Sequence, residues 1–221
     1  MKKVFEGKII DVLPVDSGIV FAYLFEGEQS LVSYKMVTFE TGKITDSPKS
    51  VYRFAKFGPN FKILGLEPAE FLLSKTVHMP NNKVFILLPD GTARVIDSAG
   101  ETVWEGTLTY KKSAPSSIAF NNRNIWACFK ENGIMMRLNI NTFREELRIG
   151  GGKDSPFSEP EDLYIEDDCI YVSNKGANNI LKVNTSTYVI EEFKNFDFPV
   201  LKYFKHAGYE FAVLANGIYL L

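Results

Sequence analysis

CIYVSNKGANNILKVN, residues 169–184, is an apolar run, a polar loop rich in Gly and Asn, a second apolar run and a closing Asn. The same layout stands 45 residues earlier as NIWACFKENGIMMRLN, residues 124–139. Laid without a gap, 115–143 matches 160–188: Pro115 falls on Pro160, Ile118 on Leu163, Ile125 on Ile170, Lys130 on Lys175, Leu138 on Val183 and Asn139 on Asn184. A self-match at a period of about 40–50 residues marks propellers and other repeat folds. Within each copy apolar residues alternate with polar or small ones, the period of a strand rather than a helix.

Weaker copies flank these two. KVFILLPDGTARVIDSAGETVWEG (83–106) keeps the layout, and GIVFAYLFEGEQSLVSYKMVTFETGKIT (18–45) keeps it with a longer interior. VLKYFKHAGYEFAVLANGIYLL (200–221) stops after three strands. Asp90-Gly91, Ala99-Gly100, Thr41-Gly42 and Asn216-Gly217 fall where tight hairpins need residues that tolerate positive φ. The pattern predicts an all-β chain, one β-propeller domain over 1–221 with five four-stranded blades. A six-bladed ring and an open β-solenoid are the alternatives. KKVFEGKII, residues 2–10, has no other partner and is expected to supply the missing outer strand of the last blade, closing the ring so that few strand edges stay exposed. Residues 47–71 make the first spacing too long; they are expected to hold the outer strand of blade 1 plus an insertion, with a helical turn at Glu67–Leu73.

RIGGGKDSPFSEPEDLYIEDDCIYVSNKGANNILKVN (148–184) resembles the NHL repeat and related lactonase-like propellers, which share a Gly-rich lead, a Pro opening the inner strand, an acidic turn, an IYV strand and an Asn-rich loop. The match covers one repeat well and a second loosely. It departs at Asn174, where the family has Asp, and at the turn Asp167-Asp168, which lacks Gly. In that family, residues just after the opening Pro hold a channel metal. The matching positions here are Ser116, Glu161, Val200 and Lys75, a set with a single carboxylate, so the resemblance implies blade geometry more than lactonase chemistry.

Composition narrows the function. Lys plus Arg number 25 against 27 Asp plus Glu, a balance that lacks the positive field of a nucleic-acid binder. The N-terminus opens like a signal peptide, but Glu6, Lys8 and Asp11 interrupt any apolar stretch, and no window has the length of a membrane span. Cys128 and Cys169 fit no zinc spacing and no disulfide framework, which points to a cytoplasmic protein.

Several motifs have a chemical and a bland reading. Gly150-Gly151-Gly152-Lys153 is followed by Asp154 rather than Ser or Thr, so a backbone turn is expected there and not a phosphate loop. The acidic set Asp154, Glu159, Glu161, Asp162, Glu166, Asp167 and Asp168 alternates across a strand and its turn, which scatters the oxygen ligands a calcium ion would need. His78 and His206 fall on inner strands of different blades, too few for a zinc site or a histidine-based triad. No cofactor or metal is expected. The loops between second and third strands share one face with the blade connections; this rim carries Glu26-Gly27-Glu28, Asp90, Lys130, Asn174, Asn178 and Asn216. A polar rim on a rigid scaffold suggests a non-catalytic protein- or peptide-binding or scaffolding module. The alternative is a small polar ligand, such as a sugar or metabolite, held in the channel by Lys75, His78, Glu161 and His206; a lactonase-like hydrolase ranks behind both.

Overall fold

The computed structural model of the chain describes residues 1–25, 31–58, 66–121 and 124–221. Five four-stranded antiparallel sheets form a five-bladed β-propeller. Blade 1 is β2 (Lys8–Val15), β3 (Gly18–Phe25), β4 (Leu31–Thr38) and β5 (Ile44–Asp46). After two helices, α1 (Lys49–Phe57) and α2 (Pro68–Leu73), blade 2 follows as β6 (Lys75–Met79), β7 (Lys83–Leu87), β8 (Thr92–Ile96) and β9 (Thr102–Thr107). Blade 3 is β10 (Ser117–Phe120), β11 (Asn124–Phe129), β12 (Ile134–Asn139) and β13 (Glu145–Gly150). Blade 4 is β14 (Pro160–Glu166), β15 (Cys169–Asn174), β16 (Asn179–Asn184) and β17 (Ile190–Asn195). Blade 5 combines β18 (Val200–His206), β19 (Tyr209–Leu214) and β20 (Gly217–Leu220) with the N-terminal β1 (Lys2–Glu6), which pairs with β20 from Lys2↔Leu220 to Glu6↔Gly217.

The closure is therefore as the repeat predicts, with one refinement. Only residues 2–6 serve the last blade; Lys8 already opens the inner strand of blade 1, because Gly7, at φ 151, turns the chain between them. The 47–71 segment is a correction. The outer strand of blade 1 is the short β5 ahead of it, and 49–57 is a helix. Its buried side chains, Tyr52, Lys56 and Phe57, share one helical face, and a lysine among them disguises the amphipathic pattern. The turn at the second helix is where it was expected, with Glu67 and Glu70 forming a capping box.

Apolar residues of the middle strands fill the seams between blades. Between blades 3 and 4, Trp126, Cys128 and Met135 pack on Leu163, Ile170, Val172 and Val183. Between blades 5 and 1, Phe204, Phe211 and Val213 meet Ile19, Phe21 and Val37, with Phe5 of β1 beside Phe21. The seam between blades 1 and 2 differs. There Val20 and Ala22 reach Val84 and Ile86 through Tyr52, Phe57 and Phe71 of the two helices. The triple glycine is a turn: Gly150 and Gly151 have φ 85 and 89, and a Cβ on Gly150 would come within 2.6 Å of the Gly133 carbonyl oxygen.

Candidate functional site

The inner strands β2, β6, β10, β14 and β18 line the channel, and their registers decide which side chains enter it. In β2 the pairing runs Ile9↔Tyr23 and then Asp11↔Ala22, leaving Ile10 as an extra residue. β14 repeats this with Pro160↔Asn174 and Asp162↔Ser173, and β18 with Val200↔Leu214 and Lys202↔Val213. A bulge re-aims the side chain that follows it. Aligning the five sheets by these registers brings Asp11, Lys75, Ser117, Asp162 and Lys202 to one level, one residue from each blade.

Their contacts bear this out. Lys202 Nζ lies 3.2 Å from Asp11 Oδ1 and donates to the Val12 carbonyl at 2.8 Å. Ser117 donates to Asp162 Oδ1 at 2.6 Å. The α1 helix completes the Asp11 shell: the Tyr52 hydroxyl donates to Oδ2 at 2.9 Å, and Lys56 Nζ sits 3.4 Å from the same oxygen while donating to the Leu72 carbonyl at 2.8 Å.

Electrostatics follow from that shell. Burial alone would raise the Asp11 carboxyl, but the ammonium groups of Lys202, Lys56 and Lys75 and the Tyr52 hydroxyl hold it well below the usual carboxylate range. Burial pushes Asp162 up, against Lys202 and Lys75. For Lys56 burial is the largest influence and brings it down to about 8, although Asp11 pulls the other way. Partial burial works to lower Lys202 as well, yet Asp11 and Asp162 raise it above the ordinary lysine value.

The ring divides the channel. Asp11 lines an upper pocket of about 310 Å³ on the face of the blade connections, with Lys75, Ser116, Lys130, Glu131 and Glu161. Lys202 lines a lower pocket of about 700 Å³, so the Asp11–Lys202 pair stands between the two mouths.

Of the residues singled out in the sequence, Lys75, Glu161 and Lys130 meet in the upper pocket. His78 lies in the lower pocket, exposed, with Nε2 3.3 Å from the Ala55 carbonyl oxygen. His206 has its Nε2 2.8 Å from the Val15 carbonyl oxygen at the same end. Both histidines are on inner strands, but at a level below the ring. Asp90 is exposed in the β7–β8 turn, where its carboxylate takes the Thr92 N–H and hydroxyl and is held low by them. Asn174 is buried: its side chain accepts the Ser158 N–H and donates to the Pro156 carbonyl and to Asn179. Asn178 ends the following turn at φ 55. Residues 26–28 lie outside the described residues. The acidic set disperses, Asp162 into the ring and Glu166 onto Lys205, and among the described residues no group of three His, Cys, Asp or Glu is placed to hold a metal ion.

Asp11, Lys56 and Lys202 are the site residues that the sequence reading missed. Asp162 and Ser117 were within its reach, since they sit 45 residues apart in the two matched repeats.

No family model and no curated protein matches the chain. Solved structures do. A streptogramin B lyase superposes with a TM-score of 0.54 at 12% identity, over 100% of this chain and 66% of that one. Virginiamycin B lyase from Staphylococcus aureus gives 0.54 at 14% identity, over 100% of this chain and 72% of that one. Sqt1 from Saccharomyces cerevisiae gives 0.50 at 12%, covering 95% and 57%. The chain thus spans about two thirds or less of two of these three. At such identities the likeness is one of fold.

Proposed function

We propose that the protein is a non-catalytic binding propeller that takes a small zwitterion in the upper channel mouth, with its ammonium at Glu161 and its carboxylate at Lys75. One observation carries this. Lys75 Nζ makes no hydrogen bond or ion pair with any described residue, while Glu161 Oε2, buried in the same pocket, accepts no hydrogen bond and has only Lys130 and Lys175 at 3.8 and 3.7 Å. That oxygen has two ammonium groups at ion-pair distance but no described donor within hydrogen-bonding reach, and a ligand ammonium would supply one. The pocket size suits a ligand of a few heavy atoms.

Absence of catalysis is part of the proposal. The hydroxyls nearest the ring are committed, Ser116 to the Pro160 carbonyl at 2.6 Å and Ser117 to Asp162. The histidines make their hydrogen bonds at the other end of the channel. The free thiols Cys128 and Cys169 support a cytoplasmic location; burial lifts Cys128 to about 12, far from a reactive thiolate. No helix among the described residues is long and apolar enough to cross a membrane.

A second reading, a protein partner on the same face, rests on exposed apolar side chains there: Leu73, which lines the pocket, and Phe25, Leu31 and Phe198. The two readings part in one experiment. Thermal unfolding is followed with a panel of α-, β- and γ-amino acids and matched amines and carboxylates that lack one charge. A zwitterion present at about 100 times its Kd should raise Tm by roughly 5–10 °C. Lys75→Met should abolish the rise and Glu161→Gln weaken it. If no zwitterion shifts Tm, or both variants respond like the parent, the pocket reading fails; a protein captured by the parent and by Lys75→Met but lost with Leu73→Ser favours the second.

A further inference from the structure

The lower mouth is a different environment on the other side of the Asp11–Lys202 pair. Its walls are apolar: Leu13 from β2, Met36 from β4, and Val51 and Phe54 from α1. Phe54 is 58% exposed, an aromatic ring facing open space. At the inner end stands Lys202. An ammonium has three N–H donors. Two of those on Lys202 are used, by Asp11 Oδ1 and by the Val12 carbonyl, and no hydrogen bond to a described residue occupies the third. The side chain keeps 23% exposure, and its charge is held by the raised affinity for the proton that Asp11 and Asp162 confer. Among the described lining residues the one carboxylate, Asp16, is exposed in the β2–β3 turn, away from the inner end.

From this arrangement we infer that the lower pocket binds an apolar monocarboxylate, an aliphatic or aromatic acid, whose body lies along Leu13, Met36, Val51 and Phe54 and whose carboxylate takes the third Lys202 donor. A largely apolar cavity with an ammonium at its inner end selects a ligand of that polarity: the walls supply contact area, and the charge-assisted hydrogen bond fixes orientation, while His78, Thr76, Ser17 and Asp16 complete the polar part of the lining. The volume of about 700 Å³ accommodates a chain of eight or so carbons. The upper pocket plays no part, so this site stands whether or not the zwitterion reading holds.

The test is calorimetric titration of the intact protein with octanoate and, separately, octan-1-ol, which has the same chain without the charge. Octanoate should bind one to one, and octanol at least about tenfold more weakly, as the loss of a charged hydrogen bond entails. Lys202→Met should lower octanoate affinity to the octanol level. Because that variant also disturbs Asp11, Phe54→Asp is the companion: it changes an exposed residue, so the fold is kept, and it sets a like charge beside the acid, weakening octanoate by roughly tenfold or more. No saturable binding, equal affinity for octanol, or an unaffected Phe54→Asp would each overturn the assignment.

Discussion

The seam between blades 3 and 4 and the seam between blades 1 and 2 solve one problem in two ways. In the first, inner strands β10 and β14 lie against each other, and the space between sheets is filled by Trp126, Cys128, Ile170 and Val172; Ile170 repeats there, 45 residues on, the part Ile125 plays in the seam between blades 2 and 3. In the second, α1 stands against β2, β3 and β6, and the contact is pinned by Tyr52 and Lys56 on the buried carboxylate of Asp11. A seam of apolar side chains degrades gradually, one methylene at a time. A seam pinned on one buried charge depends on that charge having all its partners.

The largest effect expected is therefore at Asp11. Asp11→Ala leaves the buried Lys56 without its counter-charge and takes one of two from Lys202, and should cost about 3–5 kcal/mol in chemical denaturation. A cost under about 1 kcal/mol would mean that the helical seam is held by packing alone. Next comes Ile170→Ala in the other seam, where a fully buried side chain is cut back and a cavity of a few methylenes opens, at about 2–4 kcal/mol. If it proves silent, blades 3 and 4 do not pack as described.

A pH titration sharpens the contrast. Lys56 has a native pKa of about 8 against 10.5 for the free side chain, so between those values the unfolded chain holds more protons at this site. Stability contributed by this group then rises with pH through that window and is withheld below it. The parent should gain stability relative to Lys56→Met from pH 8 to 10.5, with Lys202, shifted upward, cancelling in the comparison. Parallel curves would place Lys56 in contact with water. Asp11 works in the opposite range: its contribution is present above the ordinary aspartate pKa and lost as the pH falls below it.

Smaller effects belong to the loop of blade 4. Asn174→Ala removes three hydrogen bonds of a buried amide and should cost about 1–3 kcal/mol. Lys175→Ala, one residue on, breaks only partly exposed ion pairs and should cost within about 0.5 kcal/mol. Equal costs at both positions would contradict the division between bracket and surface.

The same contrast explains what a reader of the sequence could and could not see. The blades were legible because their apolar residues alternate and recur, and the three-stranded last copy left an edge that only Lys2–Glu6 could cover. Lys75 was legible too, because β6 pairs without a bulge and simple counting along the strand succeeds. Glu161 is one residue away from Asp162, the member of the ring, because the bulge in β14 shifts the count by one. Asp11 looked like a charge interrupting an apolar leader, and Lys56 fell in the segment expected to hold an outer strand and an insertion; each has meaning only through the other, 45 positions away and in a segment outside the repeat. Repetition encodes packing, whereas an insertion that meets the repeat through a single ion pair leaves no periodic trace.

Native-state hydrogen exchange on the parent and Asp11→Ala tests this division most directly, because it reads each seam separately. The account predicts that amides of α1, residues 49–57, lose protection by a factor of roughly a hundred or more, as expected when about 3–5 kcal/mol is removed, and lose more than those of β15 and β16 do. Uniform loss across all five blades, or unchanged protection in α1, would contradict it.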